Sequence, residues 1–94
     1  MTHGALMHEK EDDVAVCVTD VKAGTDVHAV TLDGKEIATV KAIQDIPLGH
    51  KIAIRDIDSG KDVIKYGRAI GRATQRIAKG AHVHTQNLKS KRWA

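Results

Sequence analysis

The chain has 94 residues, enough for one domain with a small core but too few for a deep, self-contained catalytic cleft. It carries 15 Lys and Arg against 12 Asp and Glu, a net charge of +3. With no Phe, one Tyr and one Trp, its core must be built from Val, Ile and Ala.

No apolar run approaches the roughly 20 residues that span a membrane. No basic segment leads into an apolar stretch with a cleavage site. Cys17 is the sole cysteine, so a disulfide within the chain is excluded. These features predict a cytoplasmic protein without a membrane partner. The basic residues gather at Arg68, Arg72, Arg76 and Lys79 and again at Lys89, Lys91 and Arg92. Aromatic residues for base stacking are not interleaved with them, so no nucleic-acid partner is expected.

Taken in order, residues 1–4 read as a flexible start, 5–8 as a short strand and 9–13 as a polar turn. Residues 14–19 form an apolar run with both faces buried, and Cys17 within it is an inert core thiol. Next comes the first copy of a repeated phrase: acid, apolar, two spacers, Gly, two spacers, apolar. Its copies begin at Asp20, Asp45 and Asp56, with Gly24, Gly49 and Gly60 at the fixed place. A fourth copy has Arg76 in place of the acid and Gly80 at the fixed place. A Gly held at one position suggests positive φ, where a Cβ is sterically penalised. Each phrase therefore predicts a tight turn feeding a short strand.

Residues 27–30 form a strand, and Leu32-Asp33-Gly34-Lys35 predicts a type I′ hairpin. The return strand, 36–42, puts Ile37, Thr39 and Lys41 on one face and Ala38, Val40 and Ala42 on the other. Residues 51–55 and 63–67 are further strands. Segment 68–79 is ambiguous. Ile70, Thr74 and Ile77 have helical spacing, but Gly67 and Gly71 oppose a helix. It is read as a strand at 71–74 and a turn at 75–78. Residues 82–88 form the last strand and 89–94 a flexible basic end, the whole being one all-β domain over 1–94.

The densest chemistry is His82-Val83-His84-Thr85-Gln86-Asn87. On one strand His82, His84 and Gln86 share a face, and two imidazoles there can bind a metal or an anion. Paired strand histidines on a solvated face are, however, the commoner finding. His50-Lys51 follows the second Gly, where a lone loop histidine is usually just solvated. Lys65-Tyr66-Gly67 offers a cation and a phenol, although the only Tyr can equally be a packing residue. His28 carries the same low weight as His50, and His8 is a better candidate than His3. No nucleophile elbow, phosphate loop, paired Cys motif or helical His-Glu-x-x-His appears. On residues alone this is a small β module with a His-containing edge, and no reaction is evident.

Four stretches change that: Asp45-Ile46-Pro47-Leu48-Gly49-His50-Lys51, Val63-Ile64-Lys65-Tyr66-Gly67, Ile70-Gly71-Arg72-Ala73-Thr74 and Gly80-Ala81-His82-Val83-His84-Thr85-Gln86-Asn87-Leu88. Their order and spacing resemble the SAF-type domain of altronate and galactarate dehydratases. In particular they resemble its free-standing form, the small subunit of sulfolactate sulfo-lyases and related two-subunit enzymes. The ending from Lys89 to Trp93 is similar to the terminus of such a subunit.

The resemblance implies a β-clip fold of short bent strands. It also implies a lyase reaction on a small hydroxy-acid or sulfonate anion, in which a base takes the proton next to the carboxylate and a β-substituent departs. A large catalytic subunit would be the partner and would supply most of the ligands of a divalent metal, iron by family expectation. On this chain, His50, Lys51, Lys65, Tyr66 and Asn87 would line the edge that meets substrate or partner. Lys51 would pair with a carboxylate or sulfonate, Tyr66 would donate a hydrogen bond, and His82 and His84 would contact the anion or the metal. The alternatives are a stand-alone sugar-acid binding module and, ranked last, a basic nucleic-acid binder.

Overall fold

Short Val, Ile and Ala runs punctuated by Gly turns fold into nine strands in the computed structural model, which describes residues 4–65, 68–84 and 86–90. The strands are β1 (Ala5–Met7), β2 (Val14–Cys17), β3 (Asp26–Thr31), β4 (Glu36–Lys41), β5 (Lys51–Ala53), β6 (Asp62–Lys65), β7 (Arg68–Ala73), β8 (His82–Val83) and β9 (Leu88–Ser90). Among the described residues there is no helix, so the chain is all-β as the resemblance implies. Six strands form a sheet in the order β4-β3-β1-β2-β5-β8, and β6-β7-β9 form a second. Neighbours run antiparallel except β1 and β3, which are parallel.

The repeated phrase explains the bends. In all four copies the residue after the Gly donates its N–H to the carbonyl three residues back: Thr25 to Lys22, His50 to Pro47, Lys61 to Asp58 and Ala81 to Ala78, at 2.9–3.1 Å. The Gly in each lies at φ of 85–90°. Positive φ at the third residue of such a four-residue turn is the type II geometry, which is why Gly recurs there.

The copies work in pairs. Val21 and Ile46 exchange both backbone hydrogen bonds at 2.8 Å, and Ile57 and Ile77 do the same. The residue three before each phrase's first position is small and buried: Cys17, Ala42, Ala53 and Ala73. Each of these exchanges bonds with the turn of the paired copy. Cys17 bonds Gly49 and His50, Ala42 bonds Gly24 and Thr25, Ala73 bonds Gly60 and Lys61, and Ala53 bonds Gly80 and Ala81. The chain is therefore two interlocked clips, made from copies one with two and three with four.

Each clip has its own apolar centre. Met7, Val27, Val40, Ile46 and Ile52 are among those filling the first. Val14, Ile57, Val63, Ile77 and Val83 are among those filling the second. Ile77 is an anchor of the clip and not part of a helix, which settles the ambiguous segment.

Three expectations are corrected. The hairpin at Asp33-Gly34 is not type I′. Gly34 N–H donates to the Thr31 carbonyl and Thr31 N–H to the Lys35 carbonyl, both at 2.9 Å. This is a three-residue loop closed by a left-handed Gly. In the return strand Ile37 packs against the first core together with Ala38. The reason is a register shift between Ala29 and Val30, which breaks strict alternation. Finally, the last strand is two short ones, β8 and β9, separated by a turn that closes when Asn87 N–H and Leu88 N–H both reach the His84 carbonyl.

Candidate functional site

His50 is the residue that closes the second turn. Its N–H is held by Pro47 and its carbonyl by the Cys17 N–H at 2.8 Å, so its backbone is fixed on both sides. The strand it leads into, β5, pairs antiparallel with β8, with Lys51 opposite Val83 and Ile52 opposite His82. One step further along both strands, His84 comes beside His50.

Three imidazoles thereby form a stack. Ring centroids are 3.9 Å apart for His50 and His84, 5.0 Å for His50 and His82, and 5.9 Å for His82 and His84. The rings lie within 20° of parallel. His50 Nδ1 and His82 Nε2 are hydrogen-bonded at 2.8 Å.

Amide side chains hold this stack from outside. Gln44 Oε1 accepts the His82 N–H at 2.9 Å. Gln86 Nε2 lies 3.2 Å from His82 Nδ1 and 3.3 Å from the His82 carbonyl. Asn87, buried, donates from Nδ2 to the His82 carbonyl at 2.7 Å and accepts the His84 N–H on Oδ1 at 3.0 Å. Both ends of the Asn87 amide are committed to backbone, so it positions the two histidines.

Burial pushes the His82 pKa down, and the neighbouring His50 and His84 add to the shift. Loss of solvation likewise lowers that of His84, helped by His50 and Lys51. Both rings are neutral near pH 7. The site therefore presents hydrogen-bonding imidazoles, with cationic Lys51 at the start of β5.

The geometry lends the metal expectation for His82 and His84 no support. Two of the nitrogens are already bonded to each other. Among the described residues, no group of three His, Cys, Asp or Glu side chains is arranged to hold a metal.

The other candidates are dispersed. Lys51 is half-buried beside His50. Lys65 is buried at the end of β6 in the second sheet, opposite Arg68. Tyr66 lies outside the described residues. His28 Nδ1 meets both Glu36 Oε1 at 3.1 Å and Thr39 Oγ1 at 3.2 Å. Both contacts lie across the β3–β4 pair, where His28 stands opposite Thr39. The His8 N–H is bonded to the buried Asp12 carboxylate at 3.2 Å. Burial raises the Cys17 thiol to about 11, which leaves it an unreactive core group.

His50 is marked as a site residue by the family resemblance alone, and Gln44 by nothing in its neighbourhood. Their place in the site depends on which strand pairs with which.

Residues 3–91 match the altronate/galactarate dehydratase SAF domain family. The chain belongs to this SAF-domain family. It is 40% identical over 89 residues to the (2R)-sulfolactate sulfo-lyase subunit alpha of Chromohalobacter salexigens, covering 94% of this chain and 95% of that one. The corresponding subunit of Paracoccus pantotrophus is 46% identical over 65 residues, covering 68% of this chain and 94% of that one. Altronate dehydratase of Escherichia coli is 44% identical over 79 residues, or 84% of this chain. The SAF chain spans only 15% of that enzyme's length. The family match takes in all four turn phrases and the whole histidine stack.

Proposed function

We propose that this SAF chain is the small subunit of a two-subunit carbon–oxygen or carbon–sulfur lyase acting on a small hydroxy-acid anion. The observation that carries the reading is its similarity to the sulfo-lyase alpha subunit across 94% of one chain and 95% of the other. A subunit named alpha has a counterpart, and here the counterpart would be a large catalytic subunit.

The chemistry divides accordingly. Elimination requires a base for the proton next to the carboxylate and stabilisation of the charge that develops as the proton leaves. This chain's site is a cluster of imidazoles, those of His82 and His84 neutral, with one lysine at its edge, suited to binding and orienting an anion. In this reading Lys51 pairs with a carboxylate or sulfonate, while His50, His82 and His84 offer hydrogen bonds to ligand oxygens. Asn87 holds the stack in place, Lys65 contributes from the second sheet, and Tyr66 would donate a hydrogen bond. The base belongs to the large subunit. So does the divalent metal that the family leads one to expect, since no group of three His, Cys, Asp or Glu among the described residues of this chain is arranged to hold one.

The test is to recover the tagged chain from its native lysate, identify what accompanies it by mass spectrometry, and assay the eluate. A single large partner that, with this chain, eliminates water or sulfite from a hydroxy acid would support the proposal. Recovery of the chain alone, together with sugar-acid binding by the isolated chain, would overturn it in favour of a stand-alone binding module.

A further inference from the structure

We infer that Gln86 sets the tautomers of the His82–His50 pair, and so makes His50 Nε2–H a fixed hydrogen-bond donor toward an oxygen of the bound ligand. Gln86 Nε2 is within hydrogen-bond distance of the His82 carbonyl at 3.3 Å. A carbonyl only accepts, so the nitrogen end of the amide must face that way. The same nitrogen lies 3.2 Å from His82 Nδ1, which must therefore accept.

A neutral imidazole carries one proton, so that of His82 sits on Nε2. His82 Nε2 is 2.8 Å from His50 Nδ1 and donates to it. His50 Nδ1 is thus an acceptor, and the proton of His50 sits on Nε2. The reverse direction would leave His82 with two accepting nitrogens and no proton.

Every link is consequently directed from Gln86 outward, through His82, to His50 Nε2–H. Among the described residues His50 Nε2 has no hydrogen-bond partner, so the chain ends at a donor available to a ligand. The downward pKa shift of His82 agrees with a neutral His82 ring. Gln86 is a positioning residue here, acting through two rings on a third atom. The tautomer assignment stands on this geometry alone, and the use of the donor in turnover rests on the subunit reading above.

The test is long-range proton–nitrogen NMR of the imidazoles in the full chain at about pH 8, above the ordinary imidazole pKa. In the wild-type chain, protonated Nε2 and bare Nδ1 are expected on both His82 and His50. In Gln86→Glu a carboxylate can only accept, so His82 should switch to Nδ1–H, His50 should follow, and the outward donor should become a lone pair. Gln86→Met, which removes the donor at similar volume, should turn the single tautomer into a mixture. It answers the same question if Gln86→Glu does not give a dispersed amide spectrum.

Wild-type His82 found as Nδ1–H, or tautomers unmoved in the folded variants, would overturn the inference. In the assembled enzyme Gln86→Glu should raise KM about tenfold or more while the subunits stay associated. Tautomers as expected beside an inactive wild-type pair of subunits would uphold the assignment and remove the lyase reading. An active pair with unmoved tautomers would do the reverse.

Discussion

Asp20 and Asp45 cap each other's turns: Asp20 Oδ1 accepts the Leu48 N–H and Asp45 Oδ1 accepts the Ala23 N–H, each at 2.8 Å. This reciprocity is the reason for an acid at the head of the phrase. In the second clip only half of it survives. Asp56 Oδ1 accepts the Lys79 N–H at 2.7 Å, and Arg76 answers with an ion pair to Asp56 Oδ2 at 3.5 Å. Removing either cap in the first clip, by Asp20→Ala or Asp45→Ala, should cost about 1 kcal/mol. Arg76→Asp, which supplies the missing acid, should be more stable than Arg76→Ala. Urea unfolding of the four variants checks both expectations.

The four turn glycines share a φ but not a setting. A Cβ at Gly24 would meet nothing within 4 Å, so Gly24→Ala should cost only the left-handed strain of about 1–2 kcal/mol. At Gly80 it would come within 2.1 Å of the Lys41 carbonyl oxygen, a backbone atom of the other clip. Gly80→Ala should therefore be clearly the more damaging, and should loosen the seam between clips. Thermal midpoints of the two variants, with amide exchange at Ile43, whose N–H bonds the Gly80 carbonyl, would show it.

The Gly phrase made the all-β class and the turn positions readable before any coordinates. Its period and its acid showed in the letters because each copy meets the same local demand. Which copy clasps which did not show, since Val21 with Ile46 and Ile57 with Ile77 are pairings between distant segments with no local mark. The same limit applied to the site. His82 and His84 stood out as a pair, but the break after β8 depends on Asn87 reaching back to two backbone groups. His50 joined them only through the β5–β8 register. Asp33-Gly34 suited a two-residue turn, and Gly34 instead closed a loop one residue longer.

Asn87 joins fold and site, so its loss should affect both. Asn87→Leu leaves the His82 carbonyl and the His84 N–H without their partner. It should cost about 2 kcal/mol and displace the His84 ring from His50. Denaturant unfolding, with NMR ring-proton shifts of His50 as the reporter of stacking, would register the two effects separately.

Acid should weaken the fold through the same stack. His82 and His84 both have folded pKa values below the ordinary 6.5, so the unfolded chain takes up protons first as pH falls. Their contribution to stability is complete above 6.5, declines as pH drops through it, and is gone below the folded values. Between about pH 7.5 and 5.5 the wild-type thermal midpoint should fall more steeply than that of a His82→Ala/His84→Ala variant. Parallel slopes would contradict the assigned shifts.

The most direct test of the subunit reading is turnover of the reconstituted two-subunit lyase carrying His82→Ala and His84→Ala in this chain. The account predicts that the subunits still co-elute on gel filtration while elimination from the hydroxy acid is largely lost. Undiminished turnover would show that the histidine stack takes no part in the reaction.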